Sequence, residues 1–260
     1  MDRYFTKGGE KMKNFSELGN EMESLLRLKI SPIGIKYFAK VADVPKDFEL
    51  IETPCALCQI IGKARYWETA VATTNKAVTV CGLGGYVSGF YDMAPDVGDG
   101  SRNVGAWGST QDATKKIAQN RMTIEKGKFE AFGVAPLKSM SVEPDIVQVW
   151  GTPAQMLHLI YAQIWDGGYN IELSTNGHGA SCYETLVVPY LTGKIRMAVA
   201  DIGDHRFAWA AEDEMIMGFP LKELERLTVN LKESYTGAYK FPYQYYMFPI
   251  WESAVKRTTA

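Results

Sequence analysis

The cysteines are Cys55, Cys58, Cys81 and Cys182. Cys55 and Cys58 form a Cys-x-x-Cys pair, the shortest spacing at which two thiolates can bind one metal ion. Zinc or an iron–sulfur cluster needs further ligands beside such a pair. Cys81 and Cys182 could supply them. Both lie next to glycines, in Cys81-Gly82 and in Gly179-Ala180-Ser181-Cys182, and both fall at expected element ends. Such ends commonly converge on a site at one edge of a sheet. The four can thus be ligands of zinc or of a [4Fe–4S] cluster, reactive thiols, or buried small apolar residues. A redox pair of the thioredoxin kind needs a strand-to-helix turn that lowers a thiol pKa. The order of elements around Cys55 and Cys58 does not follow that plan.

Other residues add chemistry near these thiols. Gly82-Leu83-Gly84-Gly85 follows Cys81, and a glycine-rich turn lets backbone N–H groups approach an anion or cofactor. It is neither the dinucleotide fingerprint nor a Walker loop. His178 precedes Cys182 in a glycine-bearing turn and is a candidate ligand or proton carrier. Asp204-His205-Arg206 is a polar cluster. Asp204 and His205 could move a proton and Arg206 could hold a carboxylate; a surface turn with local ion pairs is the alternative. Arg65 can pair with an anionic ligand or lie along apolar surface. His158, inside an apolar helix, reads as a core residue. No G-x-S-x-G or H-E-x-x-H signature occurs.

The elements that must position these residues can be read from hydrophobic spacing. Phe15, Leu18, Met22, Leu25 and Leu26 recur at helical period, and the helix stops before Pro32. Residues 33–38 alternate as a strand. A helix is expected over 57–68 despite Gly62. KAVTV reads as a strand running into Cys81. Residues 92–108 form a long loop rich in Asp, Gly and Pro, with Trp107 near its end; loops of that length are commonly lids. A polar helix over 110–122 follows. KFEAFGVAPL and DIVQVW read as strands, and Pro153 opens an apolar helix. YNIEL, IRMAVA and EMIMGFP read as strands, residues 181–191 as a short helix, and a last helix follows Pro220. The expected fold is α+β: a mixed β-sheet flanked by helices, in a single large domain spanning residues 14–233. Residues 1–13 are expected to be a flexible N-terminus. Residues 234–260, dense in Tyr and Phe, are expected to pack on the domain or on a partner subunit.

Composition narrows the function classes. Of 260 residues, 46% are hydrophobic and 22% charged, enough apolar surface to offset the entropy of ordering a chain. The formal net charge of -2 gives no bulk attraction to nucleic acid. No apolar run approaches the roughly 20 residues that span a bilayer, which predicts no membrane partner. The first residues carry no apolar signal-peptide core, which predicts the cytoplasm. The expected partners are a small-molecule ligand and further copies of the chain in a homo-oligomer.

Several segments together resemble a known family. They are SPIGIKYF, CQIIGKAR, CGLGGYVSGF, FGVAPL, EPDIVQVWGTPAQMLHLI, GHGASC and DIGDHRFAWAAEDEMIMGFPLKELERL. In that order they resemble the archaeal and bacterial family called domain of unknown function 169, over about residues 14 to 233. The resemblance implies cysteines at the positions of Cys58, Cys81 and Cys182, with Cys55 less typical. Three thiolates on a [4Fe–4S] cluster leave one iron open as a Lewis acid. The leading expectation is therefore a small-molecule enzyme of lyase or redox type, with a metal or cluster on these cysteines and an anionic or aromatic substrate. Arg65, Arg206, Trp107, Gly82, Gly84 and Gly85 would line the substrate. The rivals are a non-catalytic binding or sensing protein with buried cysteines, and a subunit of a larger complex that uses its aromatic tail.

Overall fold

The computed structural model describes residues 14–168, 170–175 and 177–236. Residues 1–13, and 237–260 of the aromatic extension, lie outside the described residues.

The strands are β1 (Ile33–Phe38), β2 (Glu49–Ile51), β3 (Val71–Thr74), β4 (Ala131–Pro136), β5 (Ile146–Gly151), β6 (Arg196–Val199) and β7 (Met215–Pro220). The helices are α1 (Phe15–Leu26), α2 (Leu57–Trp67), α3 (Gly82–Val87), α4 (Pro95–Gly98), α5 (Gln111–Gln119), α6 (Pro153–Ile164), α7 (Val188–Thr192), α8 (Ile202–Phe207) and α9 (Leu224–Thr236). A π-helix, Ala180–Val187, runs directly into α7. The strands form one sheet in the order β2-β3-β4-β1-β5-β7-β6. Among the described strands only β2 and β3 pair in parallel, so the sheet is mixed.

Helices cover both faces of the sheet, and the period-2 alternation of β5 shows why. Val147 and Val149 join Leu18 and Met22 of α1, Met156 and Leu159 of α6, and Leu227 of α9 in one apolar cluster. Ile146 and Trp150 point the other way, toward Leu57, Cys58 and Ile61 of α2 and Cys182 and Leu186 of the π-helix. Side-chain caps set the helix starts. Asn14 and Glu17 form a capping box on α1, and Thr152 with Gln155 does the same for α6, where Pro153 takes the first turn.

The expected α+β domain with a mixed, helix-flanked sheet is the observed one. Some expected elements differ. KAVTV is not a strand: it makes a turn and a single bridge, Cys55 to Val78, while the strand lies earlier, at β3. YNIEL likewise contributes one bridge, Leu173 to Met197. The loop over 92–108 is broken up by α4 and by a 3-10 turn at Ser101–Asn103. The helix expected at 181–191 is a π-helix followed by an α-helix, with Pro189 in the first turn of the second.

Candidate active site

Helix α2 presents one face to α8, at positions four and seven residues after Cys58. At the i+4 position, Gly62 lets the helix approach closely, for a Cβ there would lie 2.7 Å from Ala208 Cα. At i+7, Arg65 is 1% exposed; its Nη2 donates to Glu214 Oε1 at 2.7 Å and its Nη1 to the Ala208 carbonyl at 3.3 Å. Its guanidinium lies 3.8 Å from the centre of the Trp150 ring. Arg65 is thus a clamp between α2, β5 and the segment after α8, and the cavity described below lies elsewhere. Cys58, at the head of this stripe, faces that cavity.

The π-helix carries Cys182. Asp201, the N-cap of α8, accepts four backbone N–H bonds: from Ala180 at 2.6 Å, from Gly179, from Gly203 at 2.6 Å and from Asp204 at 2.9 Å. One carboxylate so joins the first turns of the π-helix and of α8. Gln148 of β5 holds the π-helix from beneath: its Nε2 donates to the Ser181 carbonyl at 2.7 Å and to the Thr185 carbonyl at 3.3 Å. The Thr185 hydroxyl donates to the Ala180 carbonyl at 2.8 Å and adds a bond inside the π-helix.

Between these elements lies a cavity of about 530 Å³, of the size that holds small molecules. Its wall includes Cys58 from α2, Cys81 from the start of α3, and Cys182 from the π-helix, with Asp201 and Asp204 beside them. Leu83, Tyr86, Met93, Val97, Ile117 and Phe207 make the apolar part of the wall. A second, more open hollow of about 570 Å³ runs past Arg226, but that guanidinium is already tied to Asp166 at 2.8 Å and to Glu223 at 2.9 Å.

Burial sets the protonation of this wall. The Cys182 and Cys58 thiols are pushed well above the usual thiol range, first by burial, then for Cys182 by Cys58 and for Cys58 by Asp204. Asp204 is pushed up to about 7, by burial first and by the Asp201 charge second, against hydrogen bonds from Ser181. The Ser181 hydroxyl donates to Asp204 Oδ1, and its N–H donates to Oδ2 at 3.2 Å. His178 stacks on Trp107, with ring centres 4.1 Å apart, and burial followed by the Arg121 charge lowers it to about 4. It is neutral near pH 7.

The residues singled out from sequence divide in two. Cys58, Cys81, Cys182, His178, Asp204, Trp107, Arg206 and Gly82 line the cavity. Cys55 is not part of its wall; the thiol stands 3.3 Å from Thr73 Oγ1. His205 is exposed, with Nδ1 2.9 Å from the Ala210 carbonyl. Gly84 and Gly85 are helical and serve packing: a Cβ on Gly84 would touch Leu57 at 3.4 Å, and one on Gly85 would enter the Tyr91 ring. Neither is part of the cavity wall. Sequence reasoning missed Asp201 and Arg121. Asp201 has a visible signal in the Asp201-x-x-Asp204 capping pattern, whereas nothing local marks Arg121, two residues past α5.

Three thiols on one wall invite a metal, and the side-chain positions test that. Among the described residues no group of three or more His, Cys, Asp or Glu side chains stands close enough to hold a metal ion. The thiols share the cavity without meeting at a point. No helix among the described residues is long and apolar enough to cross a membrane.

One family model matches the chain, over residues 21–230: DUF169, described as uncharacterised ArCR. The chain belongs to the DUF169 family. The DUF169 match spans the cavity-lining cysteines, Arg121, His178, Asp201 and Asp204, so the whole cavity lies within the family region. No curated protein and no solved structure matches the chain.

Proposed function

We propose that this chain is a small-molecule enzyme whose working centre is the wall made by Cys58, Cys81, Cys182 and Asp204. The observation that carries the reading is that three thiols from separate segments share one cavity with a buried carboxyl group. A carboxyl raised to about 7 is partly protonated near neutrality and can give a proton to a bound molecule or take one from it. Cys58 and Cys182, buried and raised, stay protonated. Cys81 is the more exposed of the three and is the thiol a ligand in the cavity meets first. His178, neutral and stacked on Trp107, forms part of the wall.

A cysteine-held iron–sulfur cluster or zinc ion is the second reading, favoured by the same three thiols. It needs the thiols to turn toward one point, which they do not as they stand.

The test is purification without oxygen, with iron, zinc and sulfide assayed beside the alkylation rate of each cysteine. Metal-free protein with Cys81 alkylated ahead of the other thiols supports the first reading. Iron and sulfide near stoichiometric amounts move the function to the cluster. Metal-free protein in which Cys81 is no more reactive than Cys55 sinks the thiol-centred enzyme and leaves a binding protein.

A further inference from the structure

We propose that Arg121 is the anion receptor of the cavity, and that the molecule it receives is a small monocarboxylate with an apolar body. This rests on the small-molecule reading above and narrows it to a ligand class.

Arg121 lines the cavity, with its Nε donating to the Ile117 carbonyl at 3.2 Å. Its two terminal nitrogens, Nη1 and Nη2, are both buried and have no hydrogen-bond partner. Among the described residues it is the one arginine of which this is true. The other strongly buried guanidinium, Arg65, has Glu214 at 2.7 Å, and the partly buried Arg196 has Glu172 at 2.8 Å. The fold thus pairs its other inner arginines and leaves the fork of Arg121 unpaired at the cavity wall.

The acids near Arg121, Glu184 and Asp201, favour its charge through space but give its terminal nitrogens no hydrogen bond. Asp201 spends both oxygens on four backbone N–H groups. Glu184 is pushed above the usual carboxylate range, by burial first. A buried charge without a partner is costly, and a planar fork of N–H donors is matched best by a carboxylate or phosphate taken in two parallel bonds. The close surroundings also fix the fork. Tyr183 lies with its ring centre 5.1 Å from the guanidinium carbon. Gly179, at φ +99°, leaves the space: a Cβ there would lie 2.9 Å from Nη1.

The remaining wall selects among anions. Leu83, Tyr86, Met93, Val97, Ile117 and Phe207 offer apolar surface for a body of matching character. Asp201 and Asp204 on the same wall oppose a second negative charge. A carboxylate with one charge and an apolar body satisfies both conditions, and a phosphate dianion does not.

The experiment uses the full chain and measures thermal shift and binding for sodium benzoate, sodium hexanoate, their neutral amides and inorganic phosphate, all at millimolar concentration. The expected result is that at least one carboxylate stabilises the protein, its amide does not, and Arg121→Gln weakens carboxylate binding by roughly tenfold or more. Arg121→Lys, which keeps the charge but not the fork, should lose part of that binding. Should Arg121→Gln fail to fold, the acid-against-amide comparison on the wild type still decides. Amides that bind as well as acids, phosphate that binds more tightly than either carboxylate, or no carboxylate binding at all would overturn the proposal. Alkylation of Cys81 in the presence of the carboxylate separates the two readings. Binding that depends on Arg121 but leaves Cys81 unprotected keeps the receptor and removes the thiol centre. A selectively reactive Cys81 with no carboxylate binding does the reverse.

Discussion

Gly218 of β7 has no side chain where the carbonyl of Thr185 passes, and a Cβ at Gly218 would fall on that carbonyl oxygen. The π-helix therefore lies directly on the backbone of the sheet, and Gln148 on the neighbouring strand reaches its carbonyls. Gly218→Ala should lift the π-helix off the sheet. We expect a loss of about 2–3 kcal/mol from overpacking, read from urea unfolding, with faster alkylation of Cys182. Stability and Cys182 reactivity both equal to wild type would contradict this account.

Asp201→Asn keeps the shape of the N-cap but replaces one acceptor oxygen with an N–H₂ group. One oxygen takes both bonds from the π-helix and the other both bonds from α8, so one of the two helix starts loses its pair of bonds and its tie to the other. Bonds to a charged acceptor contribute about 1.5–3 kcal/mol each, so a loss on the order of 3 kcal/mol is expected in thermal or urea melts. A change near zero would mean that the cap is dispensable.

The buried pair of Arg65 and Glu214 offers a different test. Removing one partner leaves the other charge without compensation inside the protein, at a cost of about 3–5 kcal/mol. Arg65→Met and Glu214→Gln should each destabilise strongly, and the double variant should recover part of the loss. Recovery in the double variant is the decisive readout; simple addition of the two losses would argue against a coupled pair.

Asp204 and His178 pull the pH dependence of stability in opposite directions. Asp204 holds a proton in the folded state up to about 7, well above an ordinary carboxyl, so its contribution is present at low pH and is lost as pH rises through about 7. His178 is lowered to about 4, so its contribution is present above its ordinary value and is lost as pH falls toward about 4. The two slopes oppose one another between those limits. Asp204→Asn should leave the His178 slope alone, so that the urea midpoint falls on acidification more steeply than in the wild type. His178→Asn should do the opposite and raise stability as pH falls. Parallel pH profiles for all three proteins would remove both assignments.

How much of this was legible in the sequence follows from the range of each signal. The helical spacing from Phe15, the helix opened by Pro153 and the strand in DIVQVW are local signals, and the chain forms α1, α6 and β5 there. KAVTV has strand-like residues, but β4 pairs with β3 instead, so Val71–Thr74 takes the place at the sheet. The thiols of Cys58, Cys81 and Cys182 share a cavity because α2, α3 and the π-helix pack over one face, which no spacing encodes. Cys-x-x-Cys pointed to Cys55, yet Cys55 sits at the bridge to Val78 with its thiol on Thr73, while Cys58 lies in the first turn of α2 and lines the cavity, so the two thiols serve different places. Gly84 and Gly85 read as a glycine-rich turn; Tyr91, ahead in the chain, is what requires Gly85 to lack a side chain, while Gly84 packs against Leu57. Arg121 carries no pattern at all, because its role depends on the partners that it lacks.

The cavity draws its wall from Cys58 through Phe207, and the sheet beneath the π-helix is completed only by β7 at Met215–Pro220. During synthesis, then, the first 200 residues can leave the ribosome without any competent pocket. At about 5–20 residues per second, the interval between exposing Cys58 and closing the site is on the order of ten seconds or more. Through that interval Cys58, joined by Cys81 and only near the end by Cys182, stands open to solvent and oxidants, and the growing chain cannot be rescued by its own ligand.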